Sequence, residues 1–177
     1  MKQSGFKNLV GLDPSLECVN KVKRIPGIDA IKGTISSINV TTKFDLITIA
    51  SVLEHIADLK EALLKITWLL NDGGYIFVEV PDLNRFHEQV FTPFQQFSIE
   101  HINYFTPTSI TNALGSVGFK VIDIVDVQNE TSQHTDPSIF LIGKLDNLKK
   151  SVIIDECGSD SVNRYIQISE ELDKALA

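Results

Sequence analysis

The chain has 177 residues, enough for one domain with a sizeable buried core. Apolar residues make up 43% and charged residues 22%, and the net charge is −7. This acidity argues against a nucleic-acid groove or an anionic membrane surface as the main partner, because both need a basic face. No apolar run approaches the roughly 20 residues that span a bilayer, and the first residues do not resemble a signal peptide.

The cysteines and histidines are widely spaced. Cys18 and Cys157 lie far apart, and we expect free thiols in a reducing cytoplasm rather than a disulfide. No CxxC or HxxxH pair occurs, so the sequence predicts no metal site.

The first part of the chain alternates short strands with a helix. The apolar run Asn8–Asp13 ends in an acid and predicts a strand. Pro14 and Ser15 then open a helix to about Arg24, with Ser15 as its cap. Asp29–Lys32 predicts a second short strand, followed by a polar loop.

The segment Phe44–Pro81 predicts one complete βαβ unit. Phe44–Ala50 is largely apolar or β-branched, as in a strand covered on both faces. Asp58–Leu70 carries a helical apolar stripe and begins with a capping residue. The turn Asn71–Gly74 ends that helix, and Tyr75–Val80 predicts the next strand.

The second half begins with an excursion and ends with a helix. Asp82–Tyr104 has no clear period, and a connection of this length is usually functional or disordered. Thr106–Ser116 predicts a helix, whereas Lys120–Gln128 and Ser138–Lys144 predict strands. Ser161–Ala177 predicts an amphipathic helix.

Large aromatic side chains at regular spacing usually lie in a core, and isolated acids usually lie in solvent. We therefore expect Trp68, Phe77 and Phe119 to be core residues and Asp82 to be solvated.

A phrase near the start recurs later in the chain. QSGFKNLVGLD resembles SVGFKVIDIVD at Ser116–Asp126, and both predict a helix end, a glycine cap and a strand. If Gly5 caps a helix, only Met1–Ser4 precedes it, and a stable helix needs several turns. We therefore expect that the preceding helix and strand are missing relative to a longer ancestor.

Four segments, in order, resemble class I S-adenosylmethionine-dependent methyltransferases. They read NLVGLDPS, FDLITIASVLEHIADLKEALLKITWLLNDGGYIFVEVPD, SIEHINYFT and SVGFKVI. The resemblance implies an α/β fold over residues 1–144, a Rossmann-like, doubly wound, mostly parallel sheet with an antiparallel strand. Residues 145–177 are then a linker and a C-terminal helix. The third segment resembles the C-methyltransferase-like branch, which acts on sugars and related small molecules.

The sequence also departs from the family pattern in one respect. The family opens with a strand and an acidic-x-Gly-x-Gly-x-Gly loop that wraps the cofactor, and this sequence has no such loop. In the family's strand order the missing strand is the central one, so we expect weakened or lost binding of S-adenosylmethionine or S-adenosylhomocysteine. The strand Asn8–Asp13 would then pair with Phe44–Ala50 or borrow a strand from another chain. An exposed sheet edge or the C-terminal helix would favour a homodimer.

The resemblance implies a cofactor site after the carboxyl ends of strands, where open α/β sheets bind ligands. Asp13 would offer its carboxylate to both ribose hydroxyls, although an acid there can also interact with the following helix dipole. Thr34 and Ile35 would contact adenine, or they are plain loop. The full set of candidates is Asp13, Pro14, Thr34, Ile35, Ala50, Ser51, Val52 and, as a pocket wall, His55.

The catalytic candidates belong to the EHINYF phrase. His101 resembles the histidine that acts as a base at carbon in sugar C-methyltransferases, and an imidazole of near-neutral pKa suits that role. The family often has a tyrosine three residues earlier, where this chain has Ser98. Alternatively, Glu100, His101 and Tyr104 only pin the excursion by hydrogen bonds.

Two functions follow from the sequence. The first is S-adenosylmethionine-dependent methyl transfer to a small molecule such as a sugar, by a cytoplasmic enzyme without nucleic-acid or membrane partners. The alternative is a truncated, non-catalytic methyltransferase-like domain that serves as a remnant or interaction module. A nicotinamide oxidoreductase ranks last, because GxGxxG is absent.

Overall fold

The computed structural model describes residues 2–130, 135–146, 148 and 150–176. They form two compact units, Met1–Thr42 and Lys43–Ala177. The helix at the end of the chain belongs to the second unit, and the predicted boundary near residue 144 stays a prediction.

The first unit is a parallel strand pair with one helix. β1 (Leu9–Asp13) pairs with β2 (Ile28–Lys32), and Asp13 lies opposite Lys32. The connecting helix, α1, runs over Leu16–Val22. The hydroxyl of Ser15 accepts a hydrogen bond from the Cys18 amide at 3.3 Å, which confirms Ser15 as the helix cap.

The second unit contains a four-stranded mixed sheet. Its strands are β3 (Phe44–Ala50), β4 (Leu70–Pro81), β5 (Phe119–Glu130) and β6 (Thr135–Leu145). The order is β3-β4-β6-β5, with β3 parallel to β4 and the remaining pairs antiparallel. The predicted α/β class, with parallel pairs and an antiparallel strand, is confirmed.

The strand pairings among the described residues do not include the expected pairing of β1 with β3, and the alternative, a strand borrowed from another chain, stays a prediction. β1 pairs with β2 in the two-stranded sheet, whereas β3 lies at one end of the four-stranded sheet. Each of these strands therefore finds its hydrogen-bonding partner within its own unit.

Helices α2 (Leu59–Leu69) and α3 (Pro107–Ser116) both begin at capped ends. A carboxylate oxygen of Asp58 accepts from the Glu61 amide at 3.0 Å, as predicted. Thr106 and Ser109 form a reciprocal capping box at α3. The apolar stripe of α2 is buried through Ala62, Leu63, Ile66 and Leu69. β4 starts directly after α2, so the predicted Asn71–Gly74 turn lies within the strand.

The last helix, α4 (Gly158–Leu176), packs on the excursion that follows β4. Tyr165 of α4 is fully buried against Leu83 and Phe86 of the short 3₁₀ helix Leu83–Glu88. No helix among the described residues has the length and apolar character that crossing a membrane would require.

The solvent exposure of two residues differs from the sequence prediction. Trp68 is 79% exposed, because it projects from α2 on the face away from the buried stripe. Asp82 is only 1% exposed, because the end of β4 is covered where Asp82 bridges to Phe105. Phe119, by contrast, is buried as predicted.

Candidate active site

The chain leaves the carboxyl end of β3 through a strained turn. Ser51 has a φ of +52°, a left-handed conformation that side chains other than glycine and asparagine adopt at a cost. Its amide donates to the carbonyl oxygen of Glu79 on β4 at 3.1 Å, which holds the turn against the sheet. The short 3₁₀ helix Leu53–His55 follows immediately. Ala50 and Val52 are exposed here, so the turn presents small and apolar surface.

Glu54 points inward from this 3₁₀ helix. Its side chain is 2% exposed, and one carboxylate oxygen lies 3.7 Å from Nε2 of His55. The other oxygen, Oε2, has no hydrogen-bond partner among the described residues. Burial raises the pKa of the Glu54 carboxyl, while its backbone hydrogen bond and the nearby His55 oppose that rise. We use "the cluster" for Glu54, His55 and the residues of the EHINYF segment that contact them. The cluster thus contains a buried carboxylate, one oxygen of which has no hydrogen-bond partner among the described residues.

Residues 102 and 103 are fastened to the same turn. The amides of Ile102 and Asn103 both donate to the carbonyl oxygen of Glu54, at 2.7 and 3.0 Å. The side-chain amide of Asn103 donates to the carbonyl oxygens of Leu53 at 3.0 Å and Ile56 at 2.7 Å. Four hydrogen bonds therefore fix the EHINYF segment to the end of β3.

His55 is oriented by the same segment. Its Nδ1 donates to the carbonyl oxygen of Glu100 at 2.9 Å, because a carbonyl can only accept. In the neutral ring Nε2 then carries the lone pair, and this atom faces Glu54. The Glu100 side chain is exposed, and its negative charge opposes the lowering of the His101 pKa.

His101 lies beside His55. The ring centroids are 4.9 Å apart in an edge-on arrangement, and Nδ1 of His101 is buried without a hydrogen-bond partner among the described residues. Burial lowers the pKa of His101, and the neighbouring His55 lowers it further. These effects favour the neutral form of the His101 imidazole, which carries one lone pair.

Tyr104 completes the cluster behind His101. The ring centroids of Tyr104 and His101 are 6.2 Å apart, and the Tyr104 hydroxyl donates to the Ser98 carbonyl at 3.3 Å. Burial raises the pKa of Tyr104. The hydroxyl thus closes the turn that carries Glu100 and His101.

The predicted cofactor residues of the first unit lie together at the ends of β1 and β2. Asp13 is half-buried, and its Oδ1 accepts from the Ser15 amide at 2.7 Å. The Gly33 amide donates to the Asp13 carbonyl at 3.0 Å, and Thr34 and Ile35 follow directly. Asp13 therefore accepts a hydrogen bond at the start of α1, and its contact with the ribose hydroxyls stays a prediction.

Sequence reasoning missed two residues of the cluster. Glu54 was passed over in favour of its neighbour His55, and Asn103 was not singled out. No local pattern marks Asn103, because its hydrogen-bond partners Leu53 and Ile56 lie about 50 residues away in the chain.

Comparisons with known proteins agree with this architecture. The family model described as "Methyltransferase domain" matches residues 1–124. The curated protein named tRNA U34 carboxymethyltransferase, from Campylobacter fetus subsp. fetus, is 28% identical over 131 residues. That match covers 70% of this chain and 46% of the relative, so the chain spans about half the length of the curated relative.

Solved structures show the same fold. The N-methyltransferase NodS from Bradyrhizobium japonicum, in complex with S-adenosyl-L-homocysteine, has a TM-score of 0.59 at 14% identity, covering 78% of this chain and 67% of NodS. An S-adenosylmethionine-dependent methyltransferase from Clostridium acetobutylicum has a TM-score of 0.61 at 19% identity, and the match covers 80% of this chain and 76% of that protein. The family match extends over more than half of the sequence. The chain belongs to the methyltransferase domain family.

Proposed function

We propose that this chain carries out S-adenosylmethionine-dependent methyl transfer to a small molecule, with His101 as the base. The proposal depends on Nδ1 of His101, which is buried and has no hydrogen-bond partner among the described residues. The hydrogen bonds of the Asn103 side chain fix this segment beside the carboxyl end of β3. The family match and the printed names of the structural neighbours support the cofactor class.

The chemistry requires one proton acceptor. Bound S-adenosylmethionine would supply the methyl group to the acceptor carbon and would keep the electron pair of the broken sulfur–carbon bond as S-adenosylhomocysteine. The proton of the acceptor carbon passes to the neutral His101 imidazole. A histidine whose pKa is lowered by burial is in the correct state for this step near pH 7.

The cofactor roles are proposed residue by residue. One Asp13 oxygen is engaged by the Ser15 amide, and a carboxylate has a second oxygen that can accept from a ribose hydroxyl. Thr34 and Ile35 are proposed to contact adenine. Ala50, Ser51 and Val52, with His55, are proposed to line the cofactor on the side of β3.

The acceptor class is proposed from two observations that point in different directions. The EHINYF phrase favours a sugar or related metabolite. The relative named as a tRNA carboxymethyltransferase raises a nucleic-acid acceptor instead. The net charge of −7 favours the small molecule, since a tRNA surface attracts basic proteins.

The first test is cofactor binding by the 177-residue chain. We expect titration calorimetry with S-adenosylhomocysteine to give a one-to-one isotherm, weakened by at least about tenfold in Asp13→Ala. An absence of heat at millimolar ligand would overturn cofactor use by this chain. It would instead support the non-catalytic module considered above.

The second test is transfer of a labelled methyl group to sugars, nucleotide sugars and tRNA. We expect label in a small-molecule acceptor and a loss of at least about a hundredfold in His101→Gln, the usual contribution of a general base. His87→Gln is the matched control, because His87 lies in the separate 3₁₀ helix Leu83–Glu88. Label in tRNA alone would contradict the small-molecule acceptor, and full activity of His101→Gln would contradict the base.

A further inference from the structure

We propose that Glu54, His55 and His101 form a binding site for one divalent transition-metal ion of the zinc class. The three residues each offer one ligand atom, and these atoms all lie within 4.8 Å of one another. The proposal goes beyond methyl transfer, and the sequence did not predict it because the two histidines are far apart in the chain.

The donor set matches the ion. Two imidazole nitrogens and one carboxylate oxygen are the ligands of many zinc sites that keep an open fourth position. Ligand atoms around a tetrahedral zinc ion lie about 3.4 Å apart, given metal–ligand bonds of roughly 2.0–2.2 Å. Oε1 of Glu54 and Nε2 of His55 are 3.7 Å apart, and all three ligand atoms lie within 4.8 Å of one another, so side-chain rotations that bring them closer by up to about 1.4 Å would close the site.

Buried polar atoms give a second, independent reason. Oε2 of Glu54 and Nδ1 of His101 are both shielded from solvent, and neither finds a hydrogen-bond partner in the part of the chain described here. Buried polar atoms are nearly always satisfied, and an exception requires an explanation. A bound cation would satisfy the Glu54 carboxylate, whose side chain is only 2% exposed.

The surroundings of His55 also fit. A histidine that ligates a metal usually donates its other ring N–H to a carbonyl or carboxylate, which fixes the tautomer. Nδ1 of His55 makes this bond to the carbonyl of Glu100, so its Nε2 lone pair faces the cluster. The His55 side chain is 39% exposed, which leaves solvent access for an exchangeable ligand.

Metal binding and proton transfer compete for the same residue. A bound ion would occupy a His101 lone pair, so a metal-loaded site could not use His101 as a free base. We therefore expect zinc to slow any methyl transfer that depends on His101. The binding itself does not depend on the cofactor, so each proposal can fail without the other.

The test is a metal titration of the untagged, chelator-treated chain in a Cys18→Ser, Cys157→Ser background. Both cysteines are exposed free thiols that could bind zinc themselves. We expect calorimetry to show one Zn²⁺ per chain, and Co²⁺ to give the visible absorption of a tetrahedral nitrogen and oxygen site. Mg²⁺ should not compete, because it prefers six oxygen ligands.

Variants assign the binding to the cluster. We expect Zn²⁺ affinity to fall by at least about tenfold in each of Glu54→Gln, His55→Gln and His101→Gln, and to stay within about twofold in the control His87→Gln. Circular dichroism and thermal unfolding of the metal-free variants show whether each has folded. The absence of one-to-one Zn²⁺ binding at micromolar concentration would overturn the proposal. Unchanged binding in folded His55→Gln and His101→Gln would overturn it equally.

Discussion

The hydroxyl of Tyr165 accepts a hydrogen bond from the backbone amide of Gln96 at 2.8 Å. Tyr165 lies on the last helix, and Gln96 lies in the excursion that leads to His101. The ring of Tyr165 also meets Phe97 edge-on, with centroids 5.0 Å apart. The C-terminal helix therefore holds the segment that carries the candidate base.

Replacing Tyr165 tests how strongly this helix is anchored. Tyr165→Ala removes a fully buried ring and should lower the free energy of unfolding by about 3–5 kcal/mol. Tyr165→Phe keeps the ring and loses the hydroxyl that accepts from the Gln96 amide, so its cost should be about 1 kcal/mol. Urea unfolding measures both. Equal losses in the two variants would show that ring packing does not hold the helix.

Asp82 predicts a pH dependence of stability. Burial, helped by the nearby Asp126 and opposed by the hydrogen bond from the Asn84 amide, raises the pKa of Asp82 to about 6. The folded chain then binds a proton more tightly than the unfolded chain, whose pKa is near 3.9. Stability should thus fall as the pH rises from about 4 to about 6, by about 3 kcal/mol in total at 1.4 kcal/mol for each pKa unit.

The control is Asp82→Asn, which keeps an oxygen to accept from the Asn84 amide but cannot ionise in this range. Urea unfolding of both proteins from pH 4 to pH 7 gives a difference curve that isolates Asp82 from all other acids. We expect wild type to lose stability relative to the variant as the pH rises. A flat difference curve would refute the elevated pKa.

Asn103 should be a structural requirement of the cluster. Asn103→Ala removes the side-chain donor of the Ile56 carbonyl oxygen and one of the two donors of the Leu53 carbonyl oxygen, which keeps the Ile56 amide; this should cost about 1–3 kcal/mol. Asn71→Ala is the matched control, because Asn71 donates to Asp45 at the surface and should cost at most about 0.5 kcal/mol. Equal costs in the two variants would indicate that the Asn103 bonds contribute nothing beyond a surface contact.

Trp68 gives a spectroscopic prediction, because it is the only tryptophan in the sequence. Because this residue is 79% exposed, we expect native fluorescence close to that of the unfolded chain and ready quenching by acrylamide. Trp68→Gln should change the free energy of unfolding by no more than about 0.5 kcal/mol. A blue-shifted, protected emission would mean that another surface covers Trp68.

The sequence predicts those elements whose signals are local. The continuous apolar and β-branched run before Ala50 and the cap at Asp58 predict β3 and α2 almost to the residue, because each pattern lies within its own element. Asp82 was misjudged because its burial depends on Phe105, which is distant in sequence. No local pattern reports a contact of that kind.

The candidate site divides in the same way. His101 could be proposed from the EHINYF phrase, whereas its neighbour Glu54 could not. The proximity of these two residues depends on Asn103, which bonds across about 50 residues of chain. The excursion between them is in turn fixed by Tyr165, which lies still farther along the chain.

Glu54 contributes to the candidate site through its main chain and, separately, through its side chain. Its carbonyl oxygen receives the amides of Ile102 and Asn103, while its carboxylate faces the two histidines. The anchor is a main-chain atom and is therefore present whichever side chain occupies position 54. Saturation mutagenesis at this one codon would vary the chemistry of the site while leaving its scaffold in place, so directed evolution could explore new activities from there.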